Sequence, residues 1–430
     1  MKVGMVSLGC SKNLVDSEIL LGELQGCGFT VTPDAAKAEI IIVNTCGFIE
    51  PAKQESINTI LEMARYKAEG RCRFLVVCGC LSQRYGEELR TELPEIDLFW
   101  GVKDQRGLAE QIAALAGTCK DAAHATARVL TTPPYRAYLR IADGCDNRCT
   151  YCAIPLIRGD RVSVPMEQLI EEAKALSDRG VKELTLIAQD TSAYGMDIYG
   201  KPALSALLKE LAKIEKLHWI RVLYTYPNTV DVELLDTIQN EPKVANYIDM
   251  PIQHIDDDVL TRMNRHGSSA HIQAVMQSIR ERDAGFILRT TVMVGFPGET
   301  EEQFGRLTEF LKRQGIDRVG AFAFSPEDGT AAAEMEGQIP EEVKQARLDA
   351  VMRMQREIAL QRNQQRIGET YEVLVERVEE GRAYGRSYAE APEVDGLIQF
   401  IRTGNTLHPG DFTMVKITNA KPYDLEGEEL

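Results

Sequence analysis

No stretch of this chain is apolar for long enough to span a bilayer, which takes about 20 consecutive residues. The amino terminus, Met1-Lys2, runs directly into a strand-like segment, without the basic flank, apolar core and small-residue cleavage site of a secretory signal. A cytoplasmic protein is therefore expected. Basic charge is also scarce: 49 Lys and Arg face 65 Asp and Glu, a net charge of −16. Coating nucleic acid requires a concentrated basic surface, so this balance favours a basic partner, while a local Lys/Arg patch leaves RNA contact open. Compositional bias is missing too. With 44% hydrophobic and 27% charged residues nothing reads as disordered, and 430 residues suffice for two or three cores. No internal repeat is found.

Cysteine, by contrast, is abundant: residues 10, 27, 46, 72, 78, 80, 119, 145, 149 and 152. A reducing compartment rarely keeps disulfides, so clustered thiols point to metal.

Hydropathy patterning divides the chain into an α/β protein of three parts. Residues 1–116 alternate apolar strands (Val3–Leu8, Glu39–Val43, Phe74–Val77) with amphipathic helices (Asp16–Leu24, Ala52–Ala68), the pattern of a small parallel sheet. Residues 117–134 are small and polar, end in Pro133-Pro134, and read as a linker. Over 135–365, strands are expected at Tyr138–Ala142, Glu183–Ala188, Trp219–Leu223, Ala245–Asp249, Ile287–Val294 and Arg318–Ala323, suiting a partial (β/α)6 barrel. A charged helix, Glu341–Arg366, leads to short β-like runs over 366–430, read as a small antiparallel β-barrel.

Residues 144–155 place Cys145, Cys149 and Cys152 at C-x3-C-x2-C spacing. Three thiolates from one loop can hold three irons of a 4Fe-4S cube and leave the fourth iron without a protein ligand. That iron can chelate the amino and carboxylate groups of S-adenosylmethionine and pass an electron to its sulfonium, releasing a 5′-deoxyadenosyl radical. A closed zinc site wants four ligands, and no further Cys or His follows nearby. The loop, on the first strand of a six-unit βα domain, resembles the radical SAM superfamily. The resemblance implies that Tyr151 lies against the adenine. It also implies S-adenosylmethionine contacts from later strand ends: Gln189, Asp190, Arg221, the Tyr226-Pro227 pair, Gln253-His254 and the turn from Gly295 to Glu299.

In the first region Leu8-Gly9-Cys10, Thr45-Cys46-Gly47 and Gly79-Cys80 each set a cysteine beside glycine at a strand end. If the strands are parallel, their carboxyl ends share one sheet edge, and three distant thiols converge there. Single free cysteines usually pack as small hydrophobes, the role expected of Cys27, Cys72 and Cys78. Cys119 falls in the linker and carries no spacing signal. A second three-thiolate cluster again leaves an iron open, able to hold exogenous sulfide or polysulfide.

The whole arrangement resembles the radical SAM methylthiotransferase family, in which the C-terminal module is a TRAM domain. The family has a tRNA-modifying branch, MiaB-like, and a RimO branch that forms 3-methylthioaspartate at the β-carbon of an aspartate in ribosomal small-subunit protein S-twelve. Ser11-Lys12-Asn13-Leu14-Val15-Asp16-Ser17-Glu18 and the segment from Gly385 to Gly396 are similar to the RimO pattern, whereas the tRNA enzymes usually follow the first cysteine with Gln-Met-Asn. Residues 366–430 contain thirteen Asp/Glu and seven Lys/Arg, a charge of −6, which suits a basic protein better than RNA. The resemblance implies two 4Fe-4S clusters, S-adenosylmethionine as radical source and methyl donor, and an electron donor such as flavodoxin or ferredoxin. A plain iron–sulfur electron carrier remains the reading from a different class.

Overall fold

The computed structural model describes residues 1–117, 128–282, 285–404 and 406–430, and the elements named below lie within them. Much of the expected linker, with Cys119, falls on 118–127, outside the described residues.

The first unit runs β1 (Lys2–Ser7), α1 (Ser11–Gly26), β2 (Thr30–Val31), β3 (Ile40–Thr45), α2 (Glu50–Glu69), β4 (Phe74–Gly79), α3 (Cys80–Glu92), β5 (Leu98–Phe99) and α4 (Gln105–Leu115). The strands form one parallel sheet in the order β2-β1-β3-β4-β5. All six residues of β3 are buried, because helices cover both faces. Ile40, Ile42 and Val76 pack with α1 and α4; Ile41, Val43, Leu75 and Val77 pack with α2 and α3. Each such side chain contributes about 1.5–3 kcal/mol on burial. The two-residue edge strands β2 and β5, and helices α3 and α4, add to the elements expected from the sequence.

The second unit runs β6 (Arg136–Arg140), β7 (Ala142–Asp143), α5 (Ile154–Arg158), β8 (Val162–Ser163), α6 (Met166–Asp178), β9 (Glu183–Ile187), α7 (Met196–Tyr199), α8 (Leu204–Ala212) and β10 (Trp219–Val222). It continues with α9 (Val232–Asn240), β11 (Tyr247–Asp249), α10 (Asp257–Arg262), α11 (Ser269–Glu281), β12 (Ile287–Val294), α12 (Glu301–Gln314), β13 (Arg318–Ala323) and α13 (Glu341–Gln364). Strands β6, β9 and β10 form one parallel sheet and β11, β12 and β13 another, joined by a parallel bridge between Ile220 and Val244. The result is a six-stranded partial barrel, and among the described residues no ladder closes β13 onto β6.

The last unit is a closed barrel of β14 (Thr370–Glu379), β15 (Arg382–Arg386), β16 (Ile398–Ile401), β17 (Phe412–Ala420) and β18 (Leu425–Glu429), in the order β14-β15-β16-β18-β17. It corrects the expectation of a purely antiparallel barrel, since β16 and β18 run parallel. Strand directions cannot alternate all the way round a ring of five, so one parallel pair is unavoidable. No helix among the described residues is long and apolar enough to cross a membrane.

Candidate functional site

Cys10, Cys46 and Cys80 follow the carboxyl ends of β1, β3 and β4, neighbours in the sheet. The loop bearing Cys10 approaches the one bearing Cys46 so closely that a Cβ at Gly9 (φ +85°) would lie 2.9 Å from the Cys46 sulfur. Asn13, in the first turn of α1, fixes these ends by donating to the carbonyls of Leu8 (3.0 Å) and Thr45 (2.8 Å). The Cys80 thiol donates to Asn13 Oδ1 at 3.5 Å. Cys46 is held by Ser56, whose hydroxyl accepts from its N–H and donates to its carbonyl. Burial pushes the Cys46 thiol up and that of Cys80 up to about 12. Thiolates therefore form here only against compensating positive charge, such as a metal core supplies. Cys72 and Cys78 are buried in the two cores flanking the sheet and Cys27 packs at the edge of one.

The second cysteine loop is clipped between β7 and β8, which pair Ala142 with Ser163 and Asp143 with Val162. Two other segments grip it. Thr150 donates to the Met263 and Arg262 carbonyls (3.0 and 2.9 Å), its own carbonyl accepts from Ala332 N–H (2.9 Å), and Asn264 donates to the Arg148 carbonyl (2.8 Å). Cys152 N–H donates to the Cys149 carbonyl at 3.0 Å, curling the loop so that its cysteines share a side. Burial raises the thiol of Cys145 and takes that of Cys152 up to about 12. Among the described residues no three His, Cys, Asp or Glu side chains close on a point tightly enough for a single metal ion. Separate thiols suit a multi-iron core, in which each binds its own iron.

The two groups meet across the interface of the first two units. Cys80 packs with Val102, with Ala153, which directly follows Cys152, and with Ile157 of α5. Between them lies a buried ionic network that local sequence patterns did not reveal. Arg158 donates to Asn13 Oδ1 (2.8 Å), Asp16 (2.9 Å) and Asp143 (2.9 Å), and lies 3.9 Å from the Cys80 sulfur. Arg140 pairs with Asp16 as well. The guanidiniums of Arg158 and Arg140 hold the Asp143 carboxyl below its usual range despite burial. Asp16 stood inside the segment quoted for its resemblance; Arg158 carried no signal.

Of the other residues singled out, Tyr151 is packed with Met263, Phe296 and Phe324, and its hydroxyl accepts from Arg265 (3.3 Å), whose guanidinium lies 4.2 Å over the Tyr226 ring. Gln189 donates to Asp143 (2.9 Å), leaving its buried Oε1 without a partner among the described residues. Asp190 accepts from Asn147 of the cysteine loop (3.0 Å) and from Ser192 (3.0 Å), so it positions the loop. Gln253 takes a left-handed backbone (φ +67°) and bridges to Val292. Gly295, also at positive φ (+72°), passes so close to Lys344 that no side chain would fit, and its N–H donates to Glu299. Glu299 in turn sits 3.6 Å from buried His254.

Arg221 is the exception. Its fully buried side chain donates to Glu183 (3.1 Å) and to the Tyr388 carbonyl of the C-terminal unit (2.7 Å). It therefore turns away from the mouth, because Glu183, buried and paired with Arg386 as well (2.6 Å), draws both guanidiniums to the domain interface. The segment 385–396, which carries part of the resemblance to the RimO pattern, docks the C-terminal unit. Besides Arg386, Glu390 pairs with Arg318 of β13 (3.5 Å), Glu393 with Arg136 (2.8 Å), and Asp395 accepts from Tyr247 (2.6 Å).

Comparison with known proteins follows the same division. Residues 2–101 match the uncharacterized protein family UPF0004, residues 139–311 the radical SAM superfamily and residues 367–429 the TRAM domain. The chain is 48% identical over 443 aligned residues to the ribosomal protein uS12 methylthiotransferase RimO of Pelotomaculum thermopropionicum, covering 100% of this chain and 99% of that one. It is 49% identical over 436 residues to the protein of the same description from Clostridium perfringens, covering 99% and 97%. Among solved structures, the radical S-adenosylmethionine methyltransferase TsrM of Kitasatospora setae, with cobalamin and a 4Fe-4S cluster bound, superposes with a TM-score of 0.55 at 14% identity over 89% of this chain and 80% of that one. This last likeness concerns the fold.

Proposed function

The chain belongs to the family of ribosomal protein uS12 methylthiotransferases, and from that premise we propose that it inserts sulfur and a methyl group at the β-carbon of an aspartate in uS12, yielding 3-methylthioaspartate. It is a radical SAM enzyme with a TRAM domain. In the proposed arrangement Cys145, Cys149 and Cys152 hold one 4Fe-4S cluster and Cys10, Cys46 and Cys80 a second. When bound, the clusters supply the electron that cleaves S-adenosylmethionine and a carrier for sulfide or polysulfide.

The chain's own residues supply position. Asn13 keeps the ends of β1 and β3 at fixed spacing, and Arg158 offers a cation beside Cys80 that favours thiolate there. Tyr151 presents an aromatic face for the adenine, and the unpartnered Gln189 Oε1 is an acceptor available to an ammonium or hydroxyl of S-adenosylmethionine. Gln253 and Gly295 line the same mouth by backbone. The methyl group would come from a second S-adenosylmethionine and the electrons from a flavodoxin or ferredoxin, in the cytoplasm. Acidic residues of the TRAM domain outside the docking contacts, Glu369, Glu379, Glu380, Asp424 and Glu428 among them, are exposed and would meet basic uS12.

The observation that supports this reading is the packing of Cys80 with Ala153, the residue after Cys152, and with Ile157. Its test is anaerobic reconstitution with iron and sulfide, then incubation with reductant, S-adenosylmethionine and either recombinant uS12 or bulk tRNA. Mass spectrometry is expected to find one methylthio group on a uS12 aspartate. Methylthio-adenosine in tRNA with unmodified uS12 would overturn the choice of substrate.

A further inference from the structure

Two residues beyond Cys10, at the start of α1, stands a cation without a counterion. Lys12 is 8% exposed, yet among the described residues its ammonium has neither a carboxylate within 4.0 Å nor a hydrogen-bond acceptor. What it has is the face of Tyr224, whose ring centroid is 3.3 Å away. An aromatic face returns about 0.5–2 kcal/mol, whereas withdrawing an ion from water costs several kcal/mol. The ammonium is thus underpaired in the free protein. The neighbouring cations do not share this condition, since Arg140 and Arg158 are already matched to Asp16 and Asp143.

The ring beneath Lys12 is held in place. Tyr224 lies just past the carboxyl end of β10 in a left-handed backbone (φ +64°) that a bulky residue adopts only under constraint. Its N–H donates to Asp249 Oδ2 (3.0 Å) and its carbonyl accepts from Thr191 N–H (2.9 Å), so two adjoining strand-end loops fix it. Two residues on, Tyr226 carries Arg265, which reaches Tyr151 of the second cysteine loop. Lys12 therefore stands where the first triad's loop meets the barrel mouth, on a rigid platform, with one unmet demand for negative charge.

The geometry points to Lys12, seated on Tyr224, as the residue that receives the side-chain carboxylate of the aspartate being modified. The inference rests on the substrate reading above. It adds the specificity determinant: an ammonium beside a carboxylate holds the adjacent β-carbon at a set distance from both triads and selects an acidic side chain over its neutral amide. The remaining charged groups of the network cannot do this without giving up buried partners of their own.

The test is a binding and kinetic cycle on the reconstituted enzyme. Wild type, Lys12→Met and Lys12→Arg are each titrated with fluorescently labelled uS12 carrying either Asp or Asn at the modified position, and KM and kcat are measured for the Asp protein. A charge-assisted contact corresponds to about 10- to 100-fold in affinity. The wild type is expected to prefer the Asp protein by that factor, Lys12→Met to lose the preference with a matching rise in KM, and Lys12→Arg to restore part of it. If Lys12→Met retains the wild-type preference, Lys12 does not make the contact. Should that variant fail to fold, the wild type alone decides, because indifference to Asp against Asn overturns the proposal. Wild-type enzyme that leaves no methylthio group on uS12 refutes the functional reading and this one together, whereas modified uS12 with an unaltered preference refutes Lys12 alone.

Discussion

Glu183 offers a sharp test of how the TRAM domain is fastened to the partial barrel. Its carboxylate is fully buried between Arg221, 0% exposed, and Arg386, equally buried, with contacts of 3.1 Å and 2.6 Å. The Arg386 and Arg221 guanidiniums hold the Glu183 carboxyl at about 2 against a usual 4.5, in opposition to its burial. That displacement corresponds to about 3 kcal/mol of native stability. Removing one partner of a buried ion pair costs about 3–5 kcal/mol by comparison with other proteins, so two independent routes agree. Glu183→Gln is therefore expected to raise the population with the C-terminal barrel undocked by about a hundredfold or more at neutral pH. Arg221 is left with carbonyls alone, while Arg386 keeps Glu376 at 2.8 Å.

Limited proteolysis between α13 and β14 reads that population, since cleavage of a transiently open state tracks the opening equilibrium. Adding Arg221→Met to Glu183→Gln is expected to recover part of the loss, because it removes the cation that has lost its carboxylate, whereas Arg386 keeps Glu376. Since the Glu183 carboxyl is depressed, its contribution is present above pH 4.5 and is lost as pH falls towards about 2. Wild type should therefore lose docking over that interval, and Glu390, likewise held at about 2 by Arg366 and Arg318, should add to the effect. Wild-type cleavage rates in Glu183→Gln, or simple additivity of the two substitutions, would refute the reasoning.

Cys149→Ala is expected to abolish all S-adenosylmethionine cleavage, whereas Cys46→Ala leaves some cleavage without sulfur insertion, as read by 5′-deoxyadenosine and product mass; methylthio product from Cys46→Ala would end the sulfur-delivery role. Arg158→Met leaves Asp16 and Asp143 sharing Arg140, and losing one partner of a buried ion pair costs about 3–5 kcal/mol. In a background lacking Cys145, Cys149 and Cys152 it should lower the iron retained by the first triad, measured per chain after desalting. Binding of basic uS12 should weaken across a moderate salt series, and a flat series would count against electrostatic docking.

The sequence alone determined where the two cysteine groups sit along the chain. The C-x3-C-x2-C loop is a local pattern, and the six barrel strands announce themselves as apolar runs because parallel strands are buried on both faces. The glycine-flanked cysteines at three strand ends became one sheet edge because adjacent parallel strands end together. Tertiary structure decided what each charged side chain does. Arg221 reads as a mouth residue until Glu183, 38 residues away, and the Tyr388 carbonyl, 167 away, claim it. The segment from Gly385 to Gly396 shows only a family resemblance until Arg386, Glu390, Glu393 and Asp395 are seen bonded to the barrel. The β16–β18 pairing follows from closing a ring of five strands, which no window of sequence displays. Ion pairs and ring closure depend on which surfaces meet after folding; periodicity and spacing report only on neighbours along the backbone. The same limit hid Lys12, whose significance lies in a Tyr224 ring more than two hundred residues distant.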